Sequence, residues 1–177
     1  LNEEESKSFT LKCKDLFGLQ ELLIVSTCNR TELYFTTQDD ISESLIKALL
    51  IEKGLTNTAE YSHYFIQMNE TNESLQHLFE VATGLQSKVV GDLQIPNQIK
   101  KAYQLAADHN MAGPYLHRLM HTIFYSNKRV AQETSFRDGA ASVSYATVAL
   151  AEELSQALAA PKVLILGLGE IGIDVCK

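Results

Sequence analysis

The sequence predicts an α+β protein that combines a small sheet with many helices. Short apolar runs rich in β-branched and aromatic residues lie in the first part of the chain, whereas helical periodicity dominates from Ile95 to about Ala160. A further apolar run near the end leads into G-x-G-x-x-G. These three observations predict a ferredoxin-like (split βαβ) domain with added helices, followed by the first βα unit of a Rossmann-type domain.

The first four elements follow from local signals. Acidic residues in the first turn and Gly18 as terminator predict a helix over 2–18. Two apolar runs around a short connection predict strands over 21–27 and 31–37. Helical spacing then predicts an amphipathic helix over 39–54. Its apolar face is formed by Ile41, Leu45, Ala48 and Leu49.

The next segments complete the predicted sheet domain. Residues 61–68 are predicted as a third strand, and a helix over 73–84 is predicted to be capped by Thr71 and ended by Gly84. The resulting α-β-β-α-β order lacks only a leading strand to match the split βαβ arrangement. We therefore expect such a strand upstream of residue 1.

Three long helices are predicted next, over 95–110, 113–135 and 141–159. Pro114 suits the first turn of the second of these helices. The cap of the third is predicted at Ser142 or Ser144.

A strand over 162–166 directly precedes the glycine motif. Glycines at this spacing permit a tight turn and let a nucleotide pyrophosphate approach a helix N-terminus. The residue that would select NAD or NADP falls ~20 positions later, beyond the chain. We predict a catalytic domain with its helical extension over 1–140, a linker helix over 141–160, and the truncated start of a dinucleotide-binding Rossmann-type domain over 161–177.

Composition narrows the function classes. The chain has 177 residues, of which 45% are hydrophobic, and a net charge of −7. Its longest apolar stretches fall far short of the ~20 residues that span a membrane, and no export signal opens it. Three widely spaced cysteines argue against a disulfide framework and favour a reducing cytoplasm, and the absence of clustered Cys and His predicts no metal site.

The charge is unevenly distributed. Residues 1–80 carry 6 Lys and Arg against 14 Asp and Glu, whereas residues 81–140 carry 7 against 4. A locally basic region can meet phosphates, although a solvated helix face explains it equally well. The cations concerned are Lys100, Lys101, Lys128, Arg129 and Arg137.

The stretch "STCNR" (26–30) places Cys28 two residues before Arg30. Free cysteine is often a buried packing residue, which we also expect for Cys13 and Cys176. A cation beside a thiol instead lowers its pKa and favours a nucleophile, and Arg30 could alternatively grip a substrate carboxylate. A thiol that captures an acyl group would suit a hydride-transferring cofactor, because a thioester accepts hydride better than an oxygen ester.

Four segments together resemble the glutamyl-tRNA reductase family. They are "STCNRTELY", "HLFEVATGLQSKVVGDLQIPNQIKKAY", "SVSYATVALAEEL" and "VLILGLGEIG", in that order and spacing. The resemblance implies that Cys28 attacks the activated carboxyl group of glutamate on its tRNA, and that NADPH reduces the thioester to glutamate-1-semialdehyde. That reaction is the first step of the C5 route to tetrapyrroles, including porphyrins and heme. The truncated chain itself is expected to be incomplete for hydride transfer.

The resemblance also assigns site residues and partners. It implies glutamate recognition by Thr27, Asn29, Arg30, Ser87, Asp92, Leu93, Gln94 and Gln98, and a catalytic role for His77. It implies NADPH binding by Gly167, Leu168, Gly169, Glu170, Ile171 and Gly172. Beyond glutamyl-tRNA(Glu), it implies a homodimer formed through a C-terminal helical domain outside the chain, and a downstream aminomutase as partner.

Two positions depart from the family pattern, namely Gln86, where Asp is usual, and Asp92, where Glu is usual. Simpler readings also remain open at this point: His77 can be a hydrogen-bonded helix residue, and Arg30 can pair with Glu32 or Asp92. The alternative functions are a non-catalytic tRNA-binding or regulatory module, and a cysteine dehydrogenase that acts on a small acyl or aldehyde substrate.

Overall fold

The computed structural model describes residues 1–92, 94–136 and 143–176. Most of the chain is helical, and the described strands form one antiparallel hairpin. The elements are α1 (Glu3–Phe17), β1 (Leu22–Ser26), β2 (Thr31–Phe35), α2 (Ser42–Glu52), α3 (Thr58–Tyr61), a 3-10 turn (Ser62–Tyr64), α4 (Thr71–Thr83), α5 (Gln94–Asp108), α6 (Pro114–Glu133), α7 (Val143–Ser155) and α8 (Glu170–Val175).

The hairpin separates two hydrophobic clusters. Leu22 and Ile24 of β1 pack with α1 and α2 on one side. Leu23 and Val25, which alternate with them along the strand, pack with α4, α5 and α6 on the other side. Helices therefore cover both faces of a two-stranded sheet, which confirms the mixed helix and sheet class.

Local signals explain the helix ends that the sequence predicts correctly. Asn2 and Glu5 form a reciprocal capping box at the start of α1. Gly18 and Gly84 end α1 and α4 in the left-handed conformation, with φ of 63° and 84°. Pro114 is the first residue of α6, where its missing N–H leaves no bond unmade.

The N-terminus of α6 is capped from a distant part of the chain. Glu21 Oε1 accepts hydrogen bonds from the backbone N–H groups of Tyr115, at 2.9 Å, and Leu116, at 3.4 Å. Its Oε2 accepts from the Thr36 hydroxyl at 3.1 Å. The cap residue Gly113 has no side chain to do this. The buried Glu21 thereby ties the hairpin to α6.

The predicted strand over 61–68 is wrong. Residues 58–64 form α3 and the 3-10 turn, and residues 65–69 carry no regular secondary structure, although Phe65 is extended. A strand requires a neighbour to complete its hydrogen bonds. Within the described residues the outer edge of β2 has no such neighbour, and a groove of about 1150 Å³ lies between β2 and residues 64–69.

Other expectations also need correction. Thr71 is the first residue of α4 rather than its cap, and Ser144 lies inside the first turn of α7, whereas Ser142 lies outside the described residues. Residues 162–166 form no strand, because no described strand lies beside them to pair with. Cys176 is exposed rather than packed. The ferredoxin-like topology and the Rossmann unit are therefore not confirmed, and the two domain boundaries, after residues 140 and 160, remain predictions.

Candidate active site

Cys28 lies in the turn that connects β1 and β2. The Thr27 N–H donates to the Arg30 carbonyl oxygen at 2.8 Å, which closes the turn. The Thr27 hydroxyl accepts from the N–H groups of Asn29 and Arg30, both at 3.2 Å, and so braces the loop from inside. Cys28 is exposed at this turn, which excludes the reading of a buried packing cysteine.

Cys13 provides the contrast. Its side chain lies on α1 and is fully buried in the hydrophobic cluster that α1 forms with α2 and β1. Burial raises the pKa of the Cys13 thiol to about 12, with a smaller contribution from Glu52. This thiol is a packing residue, as predicted, and it stays protonated at neutral pH.

A cluster of polar side chains forms next to the turn, around Glu32. Glu32 and Tyr34 alternate along β2 and share the face that Val25 and Leu23 occupy on β1, and Arg30 directly precedes the strand. Glu32 Oε1 lies 3.1 Å from Nη1 of Arg30, and Glu32 Oε2 accepts from the Tyr34 hydroxyl at 2.7 Å. We call Arg30, Glu32, Tyr34 and His77 the Glu32 cluster.

His77 reaches this cluster from α4. Its Nε2 lies 3.0 Å from Glu32 Oε1, the same oxygen that binds Arg30. The side chains of Arg30, Glu32 and His77 are all half-buried. The two simpler interpretations given by the sequence therefore correspond to contacts in the structure, since His77 is hydrogen-bonded and Arg30 pairs with Glu32. These contacts fix the catalytic candidates in position and are compatible with a catalytic role.

The loop after α4 also binds Arg30. Its second terminal nitrogen, Nη2, donates to the main-chain oxygen of Gln86. The Gln86 side chain points elsewhere and donates to Glu80 at 2.7 Å, and hydrogen bonds from Gln76 and Gln86 lower the pKa of Glu80. The departure at position 86 therefore leaves the Arg30 contact intact, because that contact uses the backbone.

The same loop carries two further predicted site residues. Gly84 allows residues 91 and 92 of this loop to lie close to the end of α4, since a Cβ at Gly84 would lie 3.2 Å from Gly91 Cα and Asp92 N. Ser87 is half-buried and its N–H donates to the Gly84 oxygen at 3.2 Å. Asp92 is buried, and its Oδ1 accepts from the N–H of Gln94 at 2.9 Å. This bond gives Asp92 a role at the start of α5 that the sequence did not predict.

The remaining residues of the predicted glutamate set lie on or before α5. Gln94 and Gln98 are half-buried, and Leu93 lies outside the described residues. Gln98 Oε1 is shielded from solvent and has no hydrogen-bond partner in the described part of the chain. No hydrogen bond between described residues links the side chains of Ser87, Asp92, Gln94 or Gln98 to the Glu32 cluster.

The groove beside β2 gives this region a cavity. Asn29, Arg30, Glu32, His77 and Gln86 line one part of it. Cys28 precedes Asn29 directly in the turn. A ligand in this part of the groove would meet an arginine, a histidine and a carboxylate together.

Neither a metal site nor a membrane span is present in residues 1–92, 94–136 and 143–176. No group of three or more His, Cys, Asp or Glu side chains there is arranged to hold a metal ion. None of the helices there is long and apolar enough to cross a membrane.

The glycine motif near the end of the chain forms a tight turn before α8. Gly167 has φ of 102°, and Gly169 immediately precedes the helix. A Cβ at Gly172 would lie 2.2 Å from the Gly167 carbonyl oxygen, so only glycine permits this approach. Leu168 and Ile171 are exposed beside the turn, and Glu170 begins α8. This backbone fits the turn of a dinucleotide-binding loop.

Comparison with known proteins identifies the family. The family model described as "Glutamyl-tRNAGlu reductase, N-terminal domain" matches residues 1–134. The chain belongs to the glutamyl-tRNA reductase family. The resemblance seen in the sequence is thereby confirmed.

Individual members of the glutamyl-tRNA reductase family agree with this assignment. The glutamyl-tRNA reductase of Cytophaga hutchinsonii is 59% identical over 177 residues, which is 100% of the chain and 42% of that protein. That of Chlorobaculum parvum is 38% identical over 174 residues, which is 97% of the chain and 40% of that protein. The chain spans about two fifths of the length of these relatives.

A solved structure of the family has the same overall arrangement. The glutamyl-tRNA reductase from Methanopyrus kandleri matches with a TM-score of 0.67 and 30% identity, over 96% of the chain and 39% of that structure. At 30% identity, this structural match supports both the fold and the family assignment of the chain.

Glu32 is the residue that sequence reasoning considered only as a partner of Arg30. The structure makes it the centre of the site, because it contacts Arg30, Tyr34 and His77. A signal was available in the period of two along β2, which places positions 32 and 34 on one face directly after Arg30. The bond to His77 joins residues 45 positions apart and has no such local signal.

Proposed function

We propose that the enzyme containing this chain reduces glutamyl-tRNA(Glu) to glutamate-1-semialdehyde with NADPH, through a thioester on Cys28. The observation that carries the proposal is an exposed thiol in a turn whose Arg30 is held beside His77 by one carboxylate. Membership of the glutamyl-tRNA reductase family supports the same substrate. The product would enter tetrapyrrole biosynthesis.

The first step is acyl transfer to sulfur. The Cys28 thiolate attacks the ester carbonyl carbon, the carbon–sulfur bond forms, and the bond to the ribose oxygen of the tRNA breaks. His77 supplies a proton to that departing oxygen, since imidazole exchanges protons near neutral pH. Arg30 adds positive charge beside the thiol and the substrate carboxylate.

Recognition of the glutamyl group would use the turn and the loop that follows α4. We assign it to Thr27, Asn29, Arg30, Ser87, Asp92, Leu93, Gln94 and Gln98. Gln98 Oε1 has no hydrogen-bond donor among the described residues, and because a shielded acceptor is costly to leave unpaired, a donor from outside the described residues is expected there.

The glycine turn is assigned to the cofactor. Residues 167–172 would hold the NADPH pyrophosphate through backbone N–H groups, and their close-packed glycines fit that role. When bound, NADPH supplies a hydride to the thioester carbonyl carbon. Cys28 then leaves as thiolate and the aldehyde is released.

The larger assembly follows from the family. We assign residues 1–140 to the substrate, 141–160 to a connecting helix and 161–177 to the start of the cofactor domain. We further propose a homodimer formed by a helical domain outside the chain, and transfer of the aldehyde to an aminomutase.

The decisive experiment is covalent trapping without NADPH. The intact enzyme is mixed with tRNA carrying radiolabelled glutamate, quenched in acid and separated under denaturing conditions. Wild type and Cys176→Ser are expected to retain an alkali-labile label, and Cys28→Ser none.

Each contrary outcome would support a different interpretation of this protein's function. Label that persists in Cys28→Ser would overturn the assigned nucleophile. Binding of tRNA without any labelling would favour the non-catalytic tRNA-binding module. Equal labelling by a small glutamate ester would favour a dehydrogenase with a small substrate.

A further inference from the structure

We propose that Glu32 is a positioning residue that holds His77 in the tautomer with its proton on Nε2, which makes Nδ1 the nitrogen that exchanges a proton with the substrate. The chemical role of Nδ1 depends on the proposed function. The tautomer itself does not depend on it.

The hydrogen bonds around Glu32 determine the direction of the His77 contact. A carboxylate only accepts hydrogen bonds, and both Arg30 and Tyr34 act as donors to it. The remaining contact, 3.0 Å from Glu32 Oε1 to His77 Nε2, is satisfied when Nε2 carries a proton. In a neutral imidazole the lone pair then lies on Nδ1.

Tyr34 supports this arrangement from the other oxygen. Its burial raises the pKa of its hydroxyl group, and the neighbouring Glu32 raises it further. The phenol therefore keeps its proton and continues to donate to Oε2 at 2.7 Å. Oε1 is left to Arg30 and His77.

Nδ1 is the ring nitrogen to which no described residue forms a hydrogen bond. His77 is one of the residues that line the groove beside β2. In the protonated ring, Nε2–H stays on Glu32 while Nδ1–H can pass to the ribose oxygen. This division of roles resembles other sites in which an acidic residue fixes the tautomer of a catalytic histidine.

The charges around His77 come from three elements. Arg30 precedes β2, Glu32 and Tyr34 lie on it, and Glu80 follows one turn later on α4, where His77 contributes to the lowered pKa of Glu80. Glu32 is thus the carboxylate in hydrogen-bond contact with the ring, and Glu80 interacts with it electrostatically. Replacing Glu32 by a neutral amide removes the carboxylate that fixes Nε2–H, and is therefore expected to let the ring populate both tautomers.

The tautomer is measured by solid-state nitrogen-15 NMR of the intact enzyme labelled in histidine, with His77→Gln used to assign the signal. Wild type is expected to show a protonated Nε2 and an unprotonated Nδ1 above the imidazole pKa. Glu32→Gln is expected to give a mixture of tautomers. Glu43→Gln is the matched control, because it makes the same change at an exposed carboxylate on α2, outside the Glu32 cluster, and it should retain the wild-type tautomer.

Single-turnover labelling of Cys28 gives the functional readout. Glu32→Gln is expected to slow labelling by about 10- to 100-fold, the loss typical of removing the hydrogen-bonding partner behind a metal-bound histidine. The change of tautomer, which a merely structural role would not cause, should accompany this loss. Glu43→Gln should label Cys28 at the wild-type rate.

The outcomes separate this inference from the proposed function. A wild-type signal with the proton on Nδ1 overturns the inference, and this result needs no variant to fold. An unchanged tautomer in Glu32→Gln also overturns it. Absence of Cys28 labelling in wild type, with the expected tautomer present, would instead overturn the proposed function and leave Glu32 as an orienting residue only.

Discussion

At the scale of single residues, the three cysteines differ in the two properties that control thiol reactivity. Alkylation requires access and a thiolate, and both are denied to Cys13 by its burial. Cys28 and Cys176 are exposed. An alkylation measurement therefore distinguishes the buried Cys13 from the two exposed cysteines. Substitution of Cys28 or Cys176 then distinguishes these two from each other.

Alkylation of the native chain at pH 7 is expected to modify Cys28 and Cys176 and to leave Cys13 unmodified. With a pKa of about 12, Cys13 has a thiolate fraction on the order of 10⁻⁵ at this pH. Mass spectrometry counts the labels.

Two controls accompany this measurement. Cys28→Ser should lose one label, and Cys13→Ser should lose none until the chain is unfolded in urea. Modification of Cys13 in the native chain would contradict the buried position of this residue.

The residue scale also shows where prediction from sequence reached its limit. Cys28 and Arg30 were singled out by a local motif, His77 by the family resemblance, and their roles stay predictions. The carboxylate that joins Arg30 to His77 was not singled out, because the bond depends on how α4 packs against β2. The same holds for Asp92, whose bond at the start of α5 depends on backbone geometry.

At the scale of elements, α6 depends on a cap that its own sequence does not supply. Glu21 accepts from two of the first N–H groups of α6, and its charge is favourable at a helix N-terminus. The backbone of Gly113 approaches so closely that a Cβ there would lie 2.2 Å from Glu21 Oε1. Glycine is needed here for space, since its φ of −71° is ordinary.

Glu21→Ala is expected to destabilise the protein by about 1–2 kcal/mol, the usual cost of removing a helix cap. Gly113→Ala is expected to destabilise it as well, through contact with Glu21. The double variant should lose less than the sum, because removal of the Glu21 side chain makes room for the new methyl group. Urea unfolding measures all three free energies, and strict additivity would contradict the proposed contact.

Element prediction succeeded where the signals were local. α1, α2, α4, α5 and α6 follow from helical periodicity and from glycine ends. The strands predicted over 61–68 and 162–166 failed because an apolar run becomes a strand only when another strand pairs with it. Within the described residues neither segment has such a partner.

At the scale of the whole molecule, the hydrophobic core is built by the first part of the chain. Both core clusters, including the residues packed against them, end at Phe124. Leu164 and Leu166 near the end of the chain are 81% and 88% exposed. The core and the glycine turn are thus separate in the chain, in line with the proposed boundary at residue 161.

Deletion of residues 161–177 is expected to leave the free energy of unfolding unchanged within about 0.5 kcal/mol, since exposed residues contribute little. It should also reduce self-association, because it removes exposed leucines. Urea unfolding and light scattering test the two parts. A clear loss of stability would show that the segment supports the core and would contradict the proposed boundary.

The charge distribution over the molecule leads to the last prediction. The protein is acidic overall, yet α5 and α6 carry Lys100, Lys101, Arg118, Lys128 and Arg129 against Asp108 and Glu133. Arg129 forms an ion pair with Glu133 at 2.7 Å, whereas no ion pair between described residues involves the exposed Lys100 or Lys101.

If the substrate is a tRNA, exposed cations without an ion-pair partner among the described residues are suited to its phosphates. The intact enzyme should then bind glutamyl-tRNA less tightly as salt rises, and Lys100→Ala with Lys101→Ala should reduce the slope of log K against log[salt] by about 0.7–0.9 for each phosphate that these lysines neutralise. Lys47→Ala, an exposed cation on α2 in the acidic part of the chain, is the control and should leave the slope unchanged. Filter binding over a series of KCl concentrations measures this slope. Equal slopes in all variants would mean that the α5 lysines only face solvent, and that the tRNA is bound by a different surface.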